Sequence, residues 1–530
     1  MDNRKVIRSA GIVGMFILIS RVFGLIRDMT MAAFFGTSLA MSAFVVAFTI
    51  PNLFRALFGE GALSSAFVPV FTETREKRGE CEVWQFAARM FSVLSVVLAV
   101  IVVAGILLAT VLLYFFPDNE RLTLILVLLR IMLPYMFFIC LAAFFSAMLN
   151  SLHYFMLPAA VPVVLNLVVI ATLFLVCPRF DAGSDQRIIA VAWGVVLAGV
   201  IQWLTQMPLL WRCGFRPRFS VDWRDAGVRR VWQLMGTAVI GIGVTRVNVL
   251  FDRFIAAFIS LGSPAYLYFA ERLIYFPLGI FATALGTVLL PALSGHAAHS
   301  RVDRIRETVN QSIRHMMFVM LPAAVGMMIF AKPIIRLVYE RGDFTPLSTE
   351  MTMLALTCYA PGLIMFSMIK VLIPVFYAQQ DMKTPVRVGL ACTGLNIILS
   401  LILMWPLKHV GIALATVLAA TVEVVLLIRL VHKRIGSPGW IQIIKAICRM
   451  LGAVAIMTVC AIASYHWLDQ VAGAYELTAL LRQVVTLLGS IVIAVLAYGI
   501  GAWVSRCPEI DEIWNAVRGN AERGTRNAEP

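Results

Sequence analysis

Charge is the scarcest property of this chain: Lys, Arg, Asp and Glu make up 14% of its 530 residues, against about 25% in soluble globular proteins. A soluble domain of useful size is therefore excluded. A nucleic-acid binder goes with it, because the net charge of +15 has no soluble basic domain to sit on. The nine cysteines show no CxxC and no paired spacing, which argues against a disulfide framework or a zinc site and leaves buried free thiols as the reading. Also missing are a glycine-rich phosphate loop ending in Gly-Lys-Ser/Thr, an HExxH helix and a GxSxG elbow. Direct ATP hydrolysis and hydrolase chemistry are not expected, nor is any cofactor.

What fills the chain instead is apolar: 61% hydrophobic residues with a mean hydropathy of +0.88. Runs of about 20 such residues cross a hydrocarbon core of roughly 30 Å as helices. Fourteen helices are predicted near 9–35, 38–58, 83–113, 121–150, 158–178, 187–211, 231–260, 264–291, 315–331, 350–377, 388–406, 410–428, 450–467 and 479–505. Arg4, Lys5 and Arg8 precede the first run as in a signal peptide, but that run is too long and too charged to be one, and it reads as a retained helix.

The loops carry their Lys and Arg unevenly. With the amino terminus inside, the inner segments and adjoining span ends hold 28 and the outer ones 8, so the positive-inside rule puts both termini in the cytoplasm. The order of residues hints at duplication as well. Ser20-Arg21-Val22 and Ala32-Ala33-Phe34 are echoed by Thr245-Arg246-Val247 and Ala256-Ala257-Phe258, at offsets of 225 and 224. Pro69 and Pro291 repeat at 222 residues, and Asp28 is echoed by Asp252. The offset covers an even number of spans, so the halves would enter the membrane in the same direction, related by an axis along its normal. The expected organisation is a lobe of helices 1–6 (1–229), a lobe of helices 7–12 (230–435), two extra helices (436–506) and a cytoplasmic tail (507–530).

Eight cations nonetheless sit inside the apolar spans: Arg21, Arg27, Arg55, Arg130, Arg246, Arg253, Arg272 and Lys370, against the acids Asp28, Asp252, Glu271 and Glu423. A charge near the bilayer centre costs at least about 2.5 kcal/mol, so such residues usually face a cavity, a partner or a headgroup. An excess of interior cations points to an anionic cargo. On a helix Arg21 and Asp28 share a face, while Arg27 points about 120° away from Arg21. Arg21 and Arg27 are read as donors into a cavity, with Asp28 holding a guanidinium whose planar fork suits phosphate oxygens. The alternative is a buried Arg/Asp pair beside a snorkelling Arg27.

Arg55 lies in Pro51-Asn52-Leu53-Phe54-Arg55, ahead of Gly59-Glu60-Gly61, a pattern that suggests a broken helix end lining a cavity. Asn52 and Glu60 join the candidate set there. Glu271 and Arg272 precede Pro277 and Gly279. Arg246 and Arg253 share a face, with Asp252 beside the second, and Lys370 lies between Pro361 and Pro374. Arg130 and Glu423 read as structural.

The run Ser20-Arg21-Val22-Phe23-Gly24-Leu25-Ile26-Arg27-Asp28, the segment Pro51 to Arg55, Glu60-Gly61-Ala62 and Ala66-Phe67-Val68-Pro69 closely resemble the MurJ (MviN) lipid II flippases. So do Glu271-Arg272-Leu273 with Phe276-Pro277, and Phe376-Tyr377 through Gln380-Asp381 to Lys383-Thr384-Pro385. The resemblance spans nearly the whole chain. It implies the MOP exporter fold, an all-α protein of two six-helix lobes around a cavity, with helices 13 and 14 forming a groove for a polyprenyl tail. The implied cargo is the undecaprenyl-pyrophosphate-linked peptidoglycan precursor, moved to the outer leaflet of a bacterial cytoplasmic membrane.

By motif, the cavity arginines of that family fall on Arg21, Arg27, Arg55 and Arg272, with Asp28 as their companion. Two acids of many relatives are replaced here by Ser42 and Tyr275. A sodium site of some relatives would fall on Asp252 and Asn396, but Ser400 stands where another acid is expected, so no metal site is assigned. A rival is a cation-coupled multidrug exporter of the same superfamily. It would favour interior acids over cations, the reverse of what is found. A membrane enzyme acting on a polyprenyl phosphate is a second rival.

Overall fold

The computed structural model describes residues 3–58, 63–475 and 478–510, and among them helices and their connections account for every residue, with no strand. Hydrocarbon offers no partner for a backbone N–H or C=O, so a chain this apolar satisfies them within helices. Two compact units result.

The first unit, Met1–Ala265 with Arg341–Thr345, holds α1 (Asn3–Phe35), α2 (Leu39–Leu57), α3 (Leu63–Phe115), α4 (Glu120–Ser151), α5 (Met156–Leu175), α6 (Asp185–Leu204), α7 (Met207–Arg212) and α8 (Ala226–Ile259). α4 lies against α2, α3 and α6, while α1 pairs with α5 and α8 packs on α2 and α3. The centre is aromatic: Phe67 meets Phe144 edge-on at 4.8 Å, and Phe145 meets Phe215 at 5.8 Å. α3 changes direction at Gly79, whose φ of 84° no helix contains. Beyond it, side chains such as Val100, Leu107 and Leu108 stand exposed, a costly arrangement in water and the ordinary one in lipid.

The second unit, Tyr266–Glu340 with Pro346–Pro530, takes most of α9 (Ser263–Pro277) and holds α10 (Thr283–Ala298), α11 (Val302–Ile329), α12 (Ala331–Tyr339), α13 (Pro346–Tyr359), α14 (Gly362–Ala378), α15 (Lys383–Ile435), α16 (Trp440–Ala474) and α17 (Ala479–Val504). α16 and α17 run along each other, and α11 packs on α16 and α14. Arg482 donates twice to Asp469 at 2.8 Å, joining α16 to α17. Tyr498 donates to the Phe318 carbonyl at 2.8 Å, and Arg314 pairs with fully buried Glu509 at 2.5 Å, tying α17 and the residues after it to α11.

Each of the fourteen expected segments lies on described helix. By length and apolarity alone, nine helices among the described residues qualify to cross a membrane, or ten if the bent pair α13 and α14 is one span. The differences are local and have causes. The span expected over 264–291 is α9, a π-helical turn over Leu278–Ala282 and α10, because Pro277 removes a donor from the ladder. The span over 350–377 bends by 42° between α13 and α14, at Pro361. The spans over 388–406 and 410–428 form the continuous run α15, reversed at Lys408 with φ 52°. A Cβ on Gly411 there would strike the Leu403 carbonyl. The compact units divide at Ala265, whereas the repeat in the sequence would divide the chain at 229.

Two contacts fix segments by main chain or capping. Gly36 after α1 and Gly342 have φ of 53° and 58°, and a Cβ on either would collide with the other segment's backbone, at Asp343 and Ala33 respectively. The Asp343 N–H donates to the Ala33 carbonyl at 2.9 Å. Before α15, Asp381 accepts from the Thr384 N–H at 3.0 Å, from its hydroxyl at 2.6 Å and from Arg434 at 2.6 Å. These donors hold its carboxyl down at about 2.

Gly36→Ala and Gly342→Ala should each lower the thermal midpoint more than Gly183→Ala, where φ is also positive at 79° but nothing lies within 4 Å. The control loses about 1–2 kcal/mol to strain alone, and fluorescence-monitored unfolding measures the difference. For Asp381, a depressed pKa means stability present above the ordinary carboxyl value and lost as pH falls toward about 2. The midpoint gap between wild type and Asp381→Asn should thus stay constant from pH 8 to 5 and close only below about pH 4.

Candidate functional site

The most densely connected of the expected residues lie where α1 meets α5. Arg27 donates through Nε at 3.1 Å and Nη2 at 2.7 Å to the same oxygen of Asp28, and through Nη1 at 3.1 Å to the amide oxygen of Asn166. The Arg27 side chain is 14% exposed and that of Asp28 5%. Neighbours on a helix point about 100° apart, yet the long Arg27 stem folds back far enough for its guanidinium to reach Asp28. Asn166 turns its other end to α1, donating to the Ser20 carbonyl at 3.1 Å. A Cβ on Gly24 would lie 3.6 Å from that amide nitrogen, in ordinary contact. Arg21 is half-buried on the same helix.

On α2, Arg55 donates through Nε to the Asn52 side chain at 2.9 Å, one turn back. Tyr135 lies on α4, the helix packed against α2. That tyrosine is fully buried, its ring 5.9 Å from Phe48, and its hydroxyl meets no hydrogen-bond partner among the described residues. The first unit therefore holds two polar groups, Arg27 with Asp28 and Asn166 where α1 meets α5, and Arg55 with Asn52 on α2. Glu60 lies outside the described residues.

The remaining candidates lie on other helices. Asp252 and Arg253 on α8 are buried, and Arg253 donates to the Pro264 carbonyl at 3.1 Å; Arg246 is half-buried on the same helix. In the second unit, Arg272 is exposed, donates to the Tyr268 hydroxyl at 3.2 Å and lies 4.8 Å over its ring. Tyr359 donates to Glu271 at 3.3 Å, and Lys370 is exposed on α14. Arg130 is exposed on α4 and Glu423 half-buried on α15. Asn396 is buried, accepting from Ser400 at 2.9 Å and donating to Thr416 at 3.2 Å. Asp252 belongs to the first unit and Asn396 to the second. Among the described residues no three His, Cys, Asp or Glu side chains group as metal ligands. Ser42, where relatives have an acid, is buried, and its hydroxyl too meets no partner among the described residues; Tyr275 is exposed.

Asn166 and Tyr135 were not singled out in the sequence. Asn166 carried a readable signal, as an amide alone in an otherwise apolar span; Tyr135 carried none beyond its place after Pro134.

Comparison with known proteins converges on one family. The profile described as "Lipid II flippase MurJ" matches residues 31–486. The chain is 36% identical over 468 residues to the "Probable lipid II flippase MurJ" of Vibrio cholerae serotype O1, covering 86% of this chain and 88% of that one. It is 32% identical over 524 residues to the protein of the same description from Bdellovibrio bacteriovorus, covering 97% of each. The structure matches "Lipid II flippase MurJ, inward closed conformation" with TM-score 0.75 at 26% identity, covering 93% of this chain and 98% of that one. A multidrug resistance MATE transporter of the MOP superfamily, in an inward-facing conformation, matches with TM-score 0.68 at 12% identity over 80% of this chain and 98% of that one, a likeness of fold.

Asp28→Ala leaves the Arg27 guanidinium without its carboxylate and should cost about 3–5 kcal/mol, seen as a lower thermal midpoint and less protein in the membrane. The double variant Arg27→Leu with Asp28→Leu should recover abundance without recovering transport. Recovery of both would make the pair purely structural.

Proposed function

The chain belongs to the lipid II flippase MurJ family, and from that premise we propose that its embedded arginines grip the pyrophosphate of the lipid-linked peptidoglycan precursor while the tail stays in lipid. The protein is a lipid II flippase of the bacterial inner membrane, and its family is one of transporters. The observation that carries the site reading is the Arg27, Asp28 and Asn166 cluster, in which a carboxylate and an amide hold a guanidinium within apolar helices. Such a group is oriented before the cargo arrives, and the planar fork of a guanidinium suits phosphate oxygens bidentately.

Arg21 and Arg55 extend the donor set within the first unit, and Arg246, Arg253, Arg272 and Lys370 are proposed to serve the cargo along its way. The lobes are taken as 1–229 and 230–435. Residues 436–506, where α16 and α17 run side by side, form the groove for the polyprenyl tail. Both termini lie in the cytoplasm on the strength of the Lys and Arg distribution, and alternating access carries the headgroup across. A pyrophosphate diester bears about two negative charges, each worth roughly 2.3 kcal/mol per 100 mV. A potential negative inside therefore drives the cargo outward without ATP.

Arg21→Ala, Arg55→Ala and Arg272→Ala should each reduce complementation of flippase depletion by tenfold or more at unchanged membrane abundance, as should the double variant Arg27→Leu with Asp28→Leu, whereas Arg130→Ala should retain it. Equal damage from Arg130→Ala would overturn the assignment. In proteoliposomes of known orientation, an imposed potential should speed transfer toward the positive side, and rates that ignore its sign would remove the driving force proposed here.

A further inference from the structure

Between α7 and α8 the chain crosses from one span to the next through residues 213–225, and it is built rather than slack. Phe215 is fully buried against the rings of Trp84, Phe91 and Phe145, at 6.0, 6.3 and 5.8 Å. Gly214, with φ of 100°, lets Trp84 approach: a Cβ there would lie 3.1 Å from the indole nitrogen. Farther on, buried Ser92 of α3 accepts from the Ser220 N–H at 2.9 Å and lies 3.2 Å from the Arg218 carbonyl. Asp225 closes the segment, capping α8 through the Val228 N–H at 3.0 Å and pairing with Arg89 at 2.6 Å.

This anchored segment displays two kinds of side chain that no single solvent suits. Arg212, Arg216, Arg218 and Arg224 are all exposed, with Asp222 the one acid from 211 to 224. Interleaved with them, Trp211, Phe219 and Trp223 are 55%, 72% and 50% exposed. Water rejects the rings and hydrocarbon rejects the guanidiniums. The headgroup layer accepts both, because aromatic rings settle at that depth and arginine forks meet phosphodiester oxygens there. Trp211 closes the short helix that ends span 6, and α8 begins span 7, so the segment lies at the level where spans leave the hydrocarbon.

We propose that residues 211–224 form a docking surface for anionic glycerophospholipid headgroups, with Trp211, Phe219 and Trp223 seated among the acyl carbonyls and the four arginines gripping phosphates. Under the orientation proposed above, the leaflet addressed is the cytoplasmic one. The surface is separate from the cargo site, of which none of these residues is a member. The inference needs only that the chain spans a membrane, so it stands or falls apart from the flippase reading.

The test uses the purified full chain in detergent micelles titrated with brominated phosphatidylglycerol or phosphatidylcholine of matched chains, reading tryptophan quenching. The variant Arg212→Gln, Arg216→Gln, Arg218→Gln, Arg224→Gln should lose the preference for phosphatidylglycerol by about tenfold or more. Arg27→Ala, in the cargo site, should leave that preference unchanged. Trp211→Phe with Trp223→Phe should remove most of the lipid-specific quenching. If the quadruple variant is unstable, Arg216→Gln with Arg218→Gln alone should lower the preference by about fivefold. A preference within twofold of wild type in whichever arginine variant folds, or a phosphatidylglycerol-specific excess of quenching that survives loss of both tryptophans, overturns the proposal.

Discussion

The cost of placing a guanidinium where water is absent governs this molecule. At Arg27 that cost is met by one carboxylate oxygen and one amide oxygen, and helix placement follows from it. Asn166 faces α1, and α5 packs along α1; Asp28 lies sheltered beside its partner. A buried ion pair contributes little net stability against an apolar alternative. Its presence accords with the cargo-gripping role proposed above more than with a device for folding.

The helices themselves were largely legible in the sequence, because membrane spans announce themselves by length and apolarity and the backbone has no other way to satisfy itself in lipid. The apolar stretch at 121–150 corresponds to α4 (Glu120–Ser151) almost residue for residue. The interruptions were partly legible. Pro277 and Gly279 marked a weak point, but nothing in the letters distinguishes a π-turn from a kink. α11 begins at Val302, well before the apolar stretch near 315, because its polar first turns are held by packing and by Asn310 donating to the Pro438 carbonyl at 2.7 Å. Hydropathy cannot register that kind of support.

The candidate site was legible as a set of charges and illegible as a set of partners. Helical periodicity gave the face of each residue, placing Arg21 with Asp28. What it could not give is how far a flexible side chain travels, and Arg27 reaches across to its own neighbour. Nor does spacing along the chain identify Asn166, which lies 139 residues from Arg27. Tyr135 remained invisible for a different reason: one tyrosine in an apolar run looks like any other ring until its full burial, with a hydroxyl that meets no partner among the described residues, is seen.

The close fit of Gly36 and Gly342 has a bearing on how the residues around them can change shape. Their two segments touch through backbone atoms at two glycines, which have no side chain, so the fit itself is a matter of main-chain shape rather than of side-chain charge. Shallow rotamer motions cannot loosen it by degrees either. Any substitution that adds a Cβ at either glycine must push the two backbones apart, so the fit admits no larger residue at these two positions.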